Sequence, residues 1–77
     1  MDVKNNWDKI SKEIASRLPY VAAVVDRNVE VNGNTITMSF NEYEKLFMQI
    51  AKRYAVDIEN VITDVVDEKY TVKVISE

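Results

Sequence analysis

The sequence contains no cysteine and no histidine, and it has only one glycine and one proline. Without cysteine or histidine, the chain has no disulfide, no thiolate nucleophile, no zinc-finger ligand set and no imidazole base. A single glycine is too few for a glycine-rich phosphate-binding loop, and the scarcity of glycine and proline leaves little room for long loops or linkers. A chain this small without disulfides fits a reducing cytoplasm better than secretion.

The composition is that of one small globular domain covering residues 1–77, with 47% hydrophobic and 30% charged residues. A net charge of −3 at pH 7 argues against strong nucleic-acid binding, because nucleic-acid binders usually carry a basic excess. The N-terminal stretch MDVKNNWDKI lacks an apolar core of the signal-peptide type, and no stretch approaches the length of a membrane span. We therefore expect a cytoplasmic domain that does not bind a membrane.

Helical spacing marks the first part of the chain. Apolar residues recur there at spacings of three, four and four, at Trp7, Ile10, Ile14 and Leu18. This pattern predicts a helix over residues 6–17, which Asn5 or Asn6 is placed to cap. Pro19 closes it, because the residue before a proline is pushed away from helical geometry. The run YVAAVV at residues 20–25 fits two structures: its β-branched content favours a strand, whereas the preceding proline suits the start of a short helix.

The stretch VEVNGNTITMSF surrounds the only glycine and alternates apolar and polar residues on both sides of it, which predicts a β-hairpin. A turn centred on Gly33 and Asn34 pairs Val31 with Ile36, whereas a turn one residue earlier pairs Val29 with Ile36. We favour the first register because it buries the apolar residues more completely.

The clearest helical pattern follows the hairpin. Asn41 and Glu44 have the spacing of a capping box at its start. The apolar residues then recur with a helical period and are predicted to face the core, at Tyr43, Leu46, Phe47, Ile50, Ala51 and Tyr54. The opposite face is predicted to be exposed, with Lys45, Met48, Gln49 and Lys52.

A last helix and a last strand complete the chain. Asp57 is placed to cap the helix, and Val56 and Val61 are placed to form a hydrophobic staple across that cap. The apolar residues of this helix are Ile58, Val61, Ile62, Val65 and Val66. Tyr70, Val72 and Val74 then alternate with polar residues and predict a closing strand. The simplest packing is an α+β domain of two layers, in which a three-stranded sheet of hairpin plus C-terminal strand carries the helices on one face.

No group of residues points to catalysis. Asp64, Asp67 and Glu68 cluster near the end of the last helix, but they lack the alternating oxygen ligands and the glycine of a calcium loop, so a solvated helix end explains them better. No pair of carboxylates has a spacing that suggests acid–base chemistry. We expect no enzyme activity, no catalytic, metal or cofactor-binding residue, and no cofactor.

The predicted exposed face of the long helix concentrates positive charge around one apolar residue. As a partner-binding surface it comprises Lys45, Met48, Gln49, Lys52 and Arg53, where the methionine supplies adaptable apolar contact and the cations steer association. The alternative is an ordinary solvated face. Trp7 and Tyr20 are expected either in the core or at the rim of this surface, since aromatic residues are enriched at interfaces.

Four stretches together resemble a known family over residues 6–75: NNWDKISKEI with its tryptophan, VEVNGNTITMSF, NEYEKLFMQIAKRY and IENVITDVVDEKYTVKV. They are similar to the small domain shared by the C-terminus of the bacterial DNA polymerase III subunit tau, part of the clamp loader, and the N-terminus of the replication initiator DnaA. The stretch LPYVAAVVDRNVEV looks more like the tau type, because DnaA-like domains usually carry an aromatic pair in the second helix.

The resemblance implies a short helix over residues 19–25, and hence the order α-α-β-β-α-α-β. It also implies a non-catalytic protein–protein interaction module of bacterial DNA replication, with a replicative polymerase or a helicase as the partner. The chain departs from the family at Asp67, Glu68 and Lys69, where a glycine often precedes the last strand. The alternative is a small KH-like nucleic-acid-binding domain, although one glycine cannot supply the GxxG loop of that class.

Overall fold

The computed structural model describes residues 2–77, and within them it contains four α-helices, two 3-10 segments and one three-stranded sheet. In chain order the elements are α1 (Trp7–Arg17), a 3-10 segment (Pro19–Val21), α2 (Ala22–Val25), β1 (Glu30–Asn32), β2 (Thr35–Phe40), a 3-10 segment (Glu42–Glu44), α3 (Lys45–Arg53), α4 (Ala55–Val66) and β3 (Thr71–Ser76). This order confirms the predicted α+β architecture, and residues 20–25 are helical rather than extended.

The sheet has the order β1-β2-β3, with β2 antiparallel to β1 and parallel to β3. Alternate residues of the central strand, Ile36, Met38 and Phe40, are fully buried, because successive side chains of a strand point to opposite faces. Helices α3 and α4 contact the sheet, and α1 packs against α2 and α4. The hydrophobic core therefore lies between one face of the sheet and the helices.

The hairpin adopts the favoured register, with Val31 opposite Ile36 and the turn centred on Gly33 and Asn34. Gly33 has a φ of 60°, and Asn34 is not among the residues with a positive φ. A positive φ at only the first central position is typical of a type II′ turn, which requires glycine there and matches the twist of the two strands. The only glycine in the sequence thus lies where the turn needs it.

The start of α1 differs from the prediction, although its buried face does not. Ile10 and Ile14 are fully buried, as expected. Neither Asn5 nor Asn6 caps the helix: Asn6 at the N-cap makes no side-chain cap bond, and its Nδ2 donates to the backbone oxygen of Asp2 at 2.7 Å. The capping prediction is wrong because the side-chain amides bond to the preceding turn, which competes with the helix for them.

Helix α4 begins at Ala55, so Asp57 lies within its first turn and does not cap it. Asp57 still lies at the positive end of the helix dipole, where a carboxylate is stabilising. Val56 is 65% exposed, so the predicted hydrophobic staple is wrong. Asp67 ends α4 with a φ of 55°, a left-handed conformation that a short polar side chain tolerates and that glycine usually supplies in other helices.

Arg27 joins three elements on one side of the core. Its Nε donates to the backbone oxygen of Val24 at 2.7 Å, and its two terminal nitrogens donate to the backbone oxygen of Ser39 at 3.1 Å and to Glu44 Oε2 at 2.9 Å. The guanidinium carbon lies 4.0 Å from the ring centroid of Phe40. The end of α2, the end of β2 and the segment before α3 are thereby held in one arrangement, which fixes how α3 enters the fold.

Candidate partner-binding surface

Helix α3 does not bury the face that its apolar periodicity indicates. Tyr43 is 89% exposed, Leu46 is 74% exposed and Phe47 is 39% exposed. The prediction that these three residues face the core is therefore wrong. Of the six residues in the predicted inward stripe, Ala51 alone is fully buried, while Ile50 and Tyr54 are half-buried against the core.

The side of the helix that packs against the core comprises Met48, Ile50, Ala51 and Tyr54. At 100° per residue, the centre of this face is rotated by roughly 40° from the centre of the predicted stripe. The hydrogen bond from Arg27 to Glu44 holds the segment just before α3 against the core and thereby constrains the rotation of the helix. The capping box of Asn41 and Glu44 is present and holds the same segment.

The rotation leaves an apolar surface, called the α3 patch below. It is formed by the exposed residues Tyr20, Tyr43, Leu46 and Phe47 and by the half-buried residues Ile50 and Tyr54. Two open hollows lie along it and share Leu46 as a common wall. The first has a volume of about 320 Å³ and lies between Tyr20 and α3, and the second, of about 230 Å³, lies over the start of α3. The patch therefore contains two depressions that can accommodate apolar side chains of another molecule.

Tyr20 and Tyr54 form the wall of the first hollow. Their ring centroids are 4.6 Å apart and their planes are inclined by 57°, a tilted geometry that aromatic pairs favour. Partial burial raises the pKa of the Tyr20 hydroxyl, and the negative charge of Asp57 adds to the effect. Tyr20 is nevertheless about half exposed and lines the first hollow, so of its two predicted positions the structure shows the rim and not the core.

Charged residues of both signs lie along the patch. Arg53 lines the first hollow, and Lys45 lines the second together with Glu42 and Glu44. Lys52 is also exposed but lines neither hollow, and among residues 2–77 none of the three cations has a carboxylate within ion-pair distance. The Arg53 guanidinium carbon lies 5.5 Å from the ring centroid of Tyr54, within the range of a cation–π interaction. These cations are therefore available to groups outside the chain.

The structure brings together some of the predicted partner-binding residues and separates others. Gln49 and Arg53 line the hollow beside Tyr20, and Lys45 lines the neighbouring hollow. Met48 is half-buried against the core, so its predicted exposure is wrong. Trp7 is buried, and its Nε1–H donates to the backbone oxygens of Val25 at 3.2 Å and Arg27 at 3.0 Å, which places it away from the patch.

The most exposed members of the patch, Tyr43 and Leu46, are absent from the predicted surface because an apolar stripe was assigned to the core. The sequence contains no local signal of their exposure. Met48 lies four positions after Glu44 and shares its side of the helix. The residue that holds Glu44 on the core side is Arg27, which lies 17 residues away, so the contact has no local signature.

Two other hollows, of about 460 and 440 Å³, lie around Arg27 and Asn28 and have mainly polar linings. Two of the polar side chains there are used within the fold. Arg27 makes the three hydrogen bonds described above, and Ser11 Oγ donates to the backbone oxygen of Asp8 at 3.0 Å. Neither hollow is lined by the exposed apolar residues that distinguish the α3 patch.

The acidic residues near the end of α4 have separate positions and partners. Asp64 forms an ion pair with Arg17, and Glu68 Oε1 accepts a hydrogen bond from Asn34 Nδ2 at 3.2 Å. Asp67 occupies the left-handed position that ends the helix. Across the described part of the chain, no group of three or more carboxylates is arranged to hold a metal ion. Across the same residues, no helix has the length and apolar character needed to cross a membrane.

Comparison of the chain with protein-family models, with curated proteins and with solved structures found no match. The similarity of its sequence to the tau and DnaA domains therefore stays a prediction. The α3 patch is defined by the geometry of this chain alone.

Proposed function

We propose that the chain is a non-catalytic protein–protein interaction module and that the α3 patch binds its partner. The observation that supports this function is the exposure of Tyr43 and Leu46 next to the partly exposed Phe47. Contiguous exposed apolar surface is unfavourable in water, and on small soluble domains it commonly marks an interaction site.

The composition of the patch also supports a protein partner. Tyrosine and arginine are enriched among the residues that carry most of the binding energy at interfaces, and the patch combines Tyr20, Tyr43 and Tyr54 with the neighbouring Arg53. Tyrosine supplies a large contact area at a small cost in side-chain entropy, because it has few rotatable bonds. A nucleic-acid partner is less favoured, since a net charge of −3 opposes association with phosphates.

A role in bacterial DNA replication, with a polymerase or a helicase as partner, is the part of the proposal that rests on the sequence resemblance alone. It is separable from the location of the surface. Any protein partner that binds the α3 patch supports the module, whereas only a replication protein supports the replication role.

The test is affinity capture of partners from a lysate of cells that encode the chain, followed by reconstitution with the purified candidate. The tagged wild type is compared with Leu46→Ser, which removes the shared wall of the two hollows. Val56→Ser is the matched control, because Val56 is also largely exposed but lines neither hollow. Circular dichroism confirms that both variants are folded.

We expect one identified protein to bind the wild type and the Val56→Ser variant, and to bind the Leu46→Ser variant at least about tenfold more weakly. Equal binding by Leu46→Ser would move the site away from the patch. Capture that disappears after nuclease treatment would favour the KH-like alternative.

A further inference from the structure

The charges that border the α3 patch are distributed unevenly. Arg53 is the one charged residue that lines the first hollow, and it has no ion-pair partner within residues 2–77. The second hollow is lined by Lys45 together with the acidic residues Glu42 and Glu44. A complementary partner therefore carries a carboxylate where it faces Arg53 at the first hollow.

The shape of the patch indicates an elongated occupant. The two hollows follow α3 over residues 42–53, and Leu46 forms a ridge between them. Twelve residues of this helical segment span roughly 17 Å, which corresponds to about three turns of a second helix lying alongside. An amphipathic helix that docks in a groove inserts side chains at positions i and i+4 or i+7, so its spacing fits two hollows separated by one ridge.

We propose that the α3 patch binds an amphipathic helix of a partner protein, with an apolar stripe and with an acidic residue that faces Arg53. This inference rests on the proposed interaction function and specifies the chemistry of the partner. Apolar side chains of the partner enter the hollows on either side of Leu46. A carboxylate of the partner contacts Arg53 beside the first hollow.

The experiment is a selection from a library of helix-forming peptides with randomised surface positions. The wild-type protein is the bait, and binders that also retain the Leu46→Ser protein are discarded. Nuclear magnetic resonance of the ¹⁵N-labelled protein then maps where the selected peptides bind. Sedimentation of the protein without peptide measures self-association through the same surface.

The charge pairing is tested by a swap. Arg53→Glu reverses the charge beside the first hollow, and Arg17→Glu is the control, because Arg17 is an exposed arginine on α1. We expect Arg53→Glu to weaken a selected peptide at least about tenfold at low salt, and a peptide with lysine in place of the facing glutamate to recover most of the loss. Arg17→Glu should leave the affinity within about twofold of wild type if the peptide binds only at the patch.

Selected peptides that are neutral or basic, or that ignore the reversal at Arg53, would overturn the acidic helix while leaving the interaction module intact. Self-association through the patch would also overturn it, with a second copy of the chain as the occupant. Two results together would overturn both the inference and the proposed function. In the first, every selected peptide also binds the Leu46→Ser protein; in the second, Leu46→Ser captures the lysate partner as well as the wild type does.

Discussion

Helices α1 and α3 both carry an apolar stripe at helical spacing, but only α1 buries its stripe in the core. Ile10 and Ile14 of α1 are fully buried, and the helix is packed between α2 and α4. Leu46 of α3 is 74% exposed although α3 lies directly against the sheet. The difference shows that helical periodicity identifies an apolar face, whereas the tertiary contacts of the helix ends decide whether that face is inside.

The ends of the two helices explain the outcome. The residues just before α1 form hydrogen bonds with Asp2, which is close to them in the sequence. These bonds allow the apolar face of α1 to turn toward the core. The segment before α3 is tied to Arg27 through Glu44, and this contact constrains the rotation of the helix. A charge-assisted hydrogen bond is about twice as strong as a neutral one, and it is directional, whereas burial of apolar surface is not.

The largest expected effect tests the buried side of the comparison. Ile10→Ala should lower the free energy of unfolding by roughly 2–5 kcal/mol, because it opens a cavity in a fully packed site. Leu46→Ala removes a side chain of similar size from α3 and should change it by less than about 0.5 kcal/mol. Urea denaturation measures both. Similar losses in the two variants would mean that α3 buries its stripe as α1 does.

The second prediction concerns the residue that sets the rotation. Arg27→Lys should cost roughly 2–4 kcal/mol, since one ammonium cannot replace three hydrogen bonds in a fixed fork and the backbone oxygens of Val24 and Ser39 lose their donors. Arg17→Lys is the matched control, and its effect should be close to experimental error because Arg17 makes exposed ion pairs. Urea denaturation of the two variants gives the comparison. Equal effects would remove the structural role assigned to Arg27.

The third prediction sharpens the boundary between core and patch. Phe47 is 39% exposed, so Phe47→Ala should cost about 1–2 kcal/mol rather than the roughly 3–5 kcal/mol of a fully buried phenylalanine. The same denaturation experiment measures it. A loss in the higher range would place Phe47 in the core and restore the rotation that the sequence pattern predicts.

The smallest expected effect is a pH dependence. The hydrogen bond from Arg27, together with the backbone amide of Asn41, holds the pKa of Glu44 below its ordinary value. The folded state therefore binds this proton less tightly than the unfolded state. The stabilisation is fully present above the ordinary glutamate pKa and is lost as the pH falls through the depressed pKa.

Glu44→Gln should flatten the pH dependence of unfolding in that acidic range, because glutamine keeps an acceptor for the capping box but does not titrate. Denaturation of the two proteins at a series of pH values checks this. Parallel curves would show that the carboxylate of Glu44 gains nothing from Arg27 in the folded state.

Local signals in the sequence were sufficient to predict most of the fold. The hairpin register followed from Gly33 and the alternation around it, and the buried face of α1 followed from spacing alone. The capping box at Asn41 and the closing strand also follow from patterns a few residues long. The short helix in residues 19–25, and with it the element order, was implied by the family resemblance, because the local pattern fitted a strand as well. In each case the tertiary structure agrees with the local preference, which is usual in natural folds.

The candidate site was less predictable, because there the tertiary structure overrides the local preference. Gln49 and Arg53 were expected at a partner surface and do line a hollow, but Leu46 and Tyr43 were assigned to the core. Their exposure depends on a hydrogen bond between Arg27 and Glu44, which lie far apart in the chain. No pattern within the helix contains that information.

Glu59 of α4 has a consequence for how the sheet ends. Its Oε2 accepts a hydrogen bond from the backbone amide of Val72 at 2.7 Å, on the side of β3 that faces away from β2. A carboxylate thus occupies the place that a carbonyl of a fourth strand would take. Because exposed strand edges template the joining of further strands, this side chain blocks one pairing position on the β3 edge and makes that edge a poorer template.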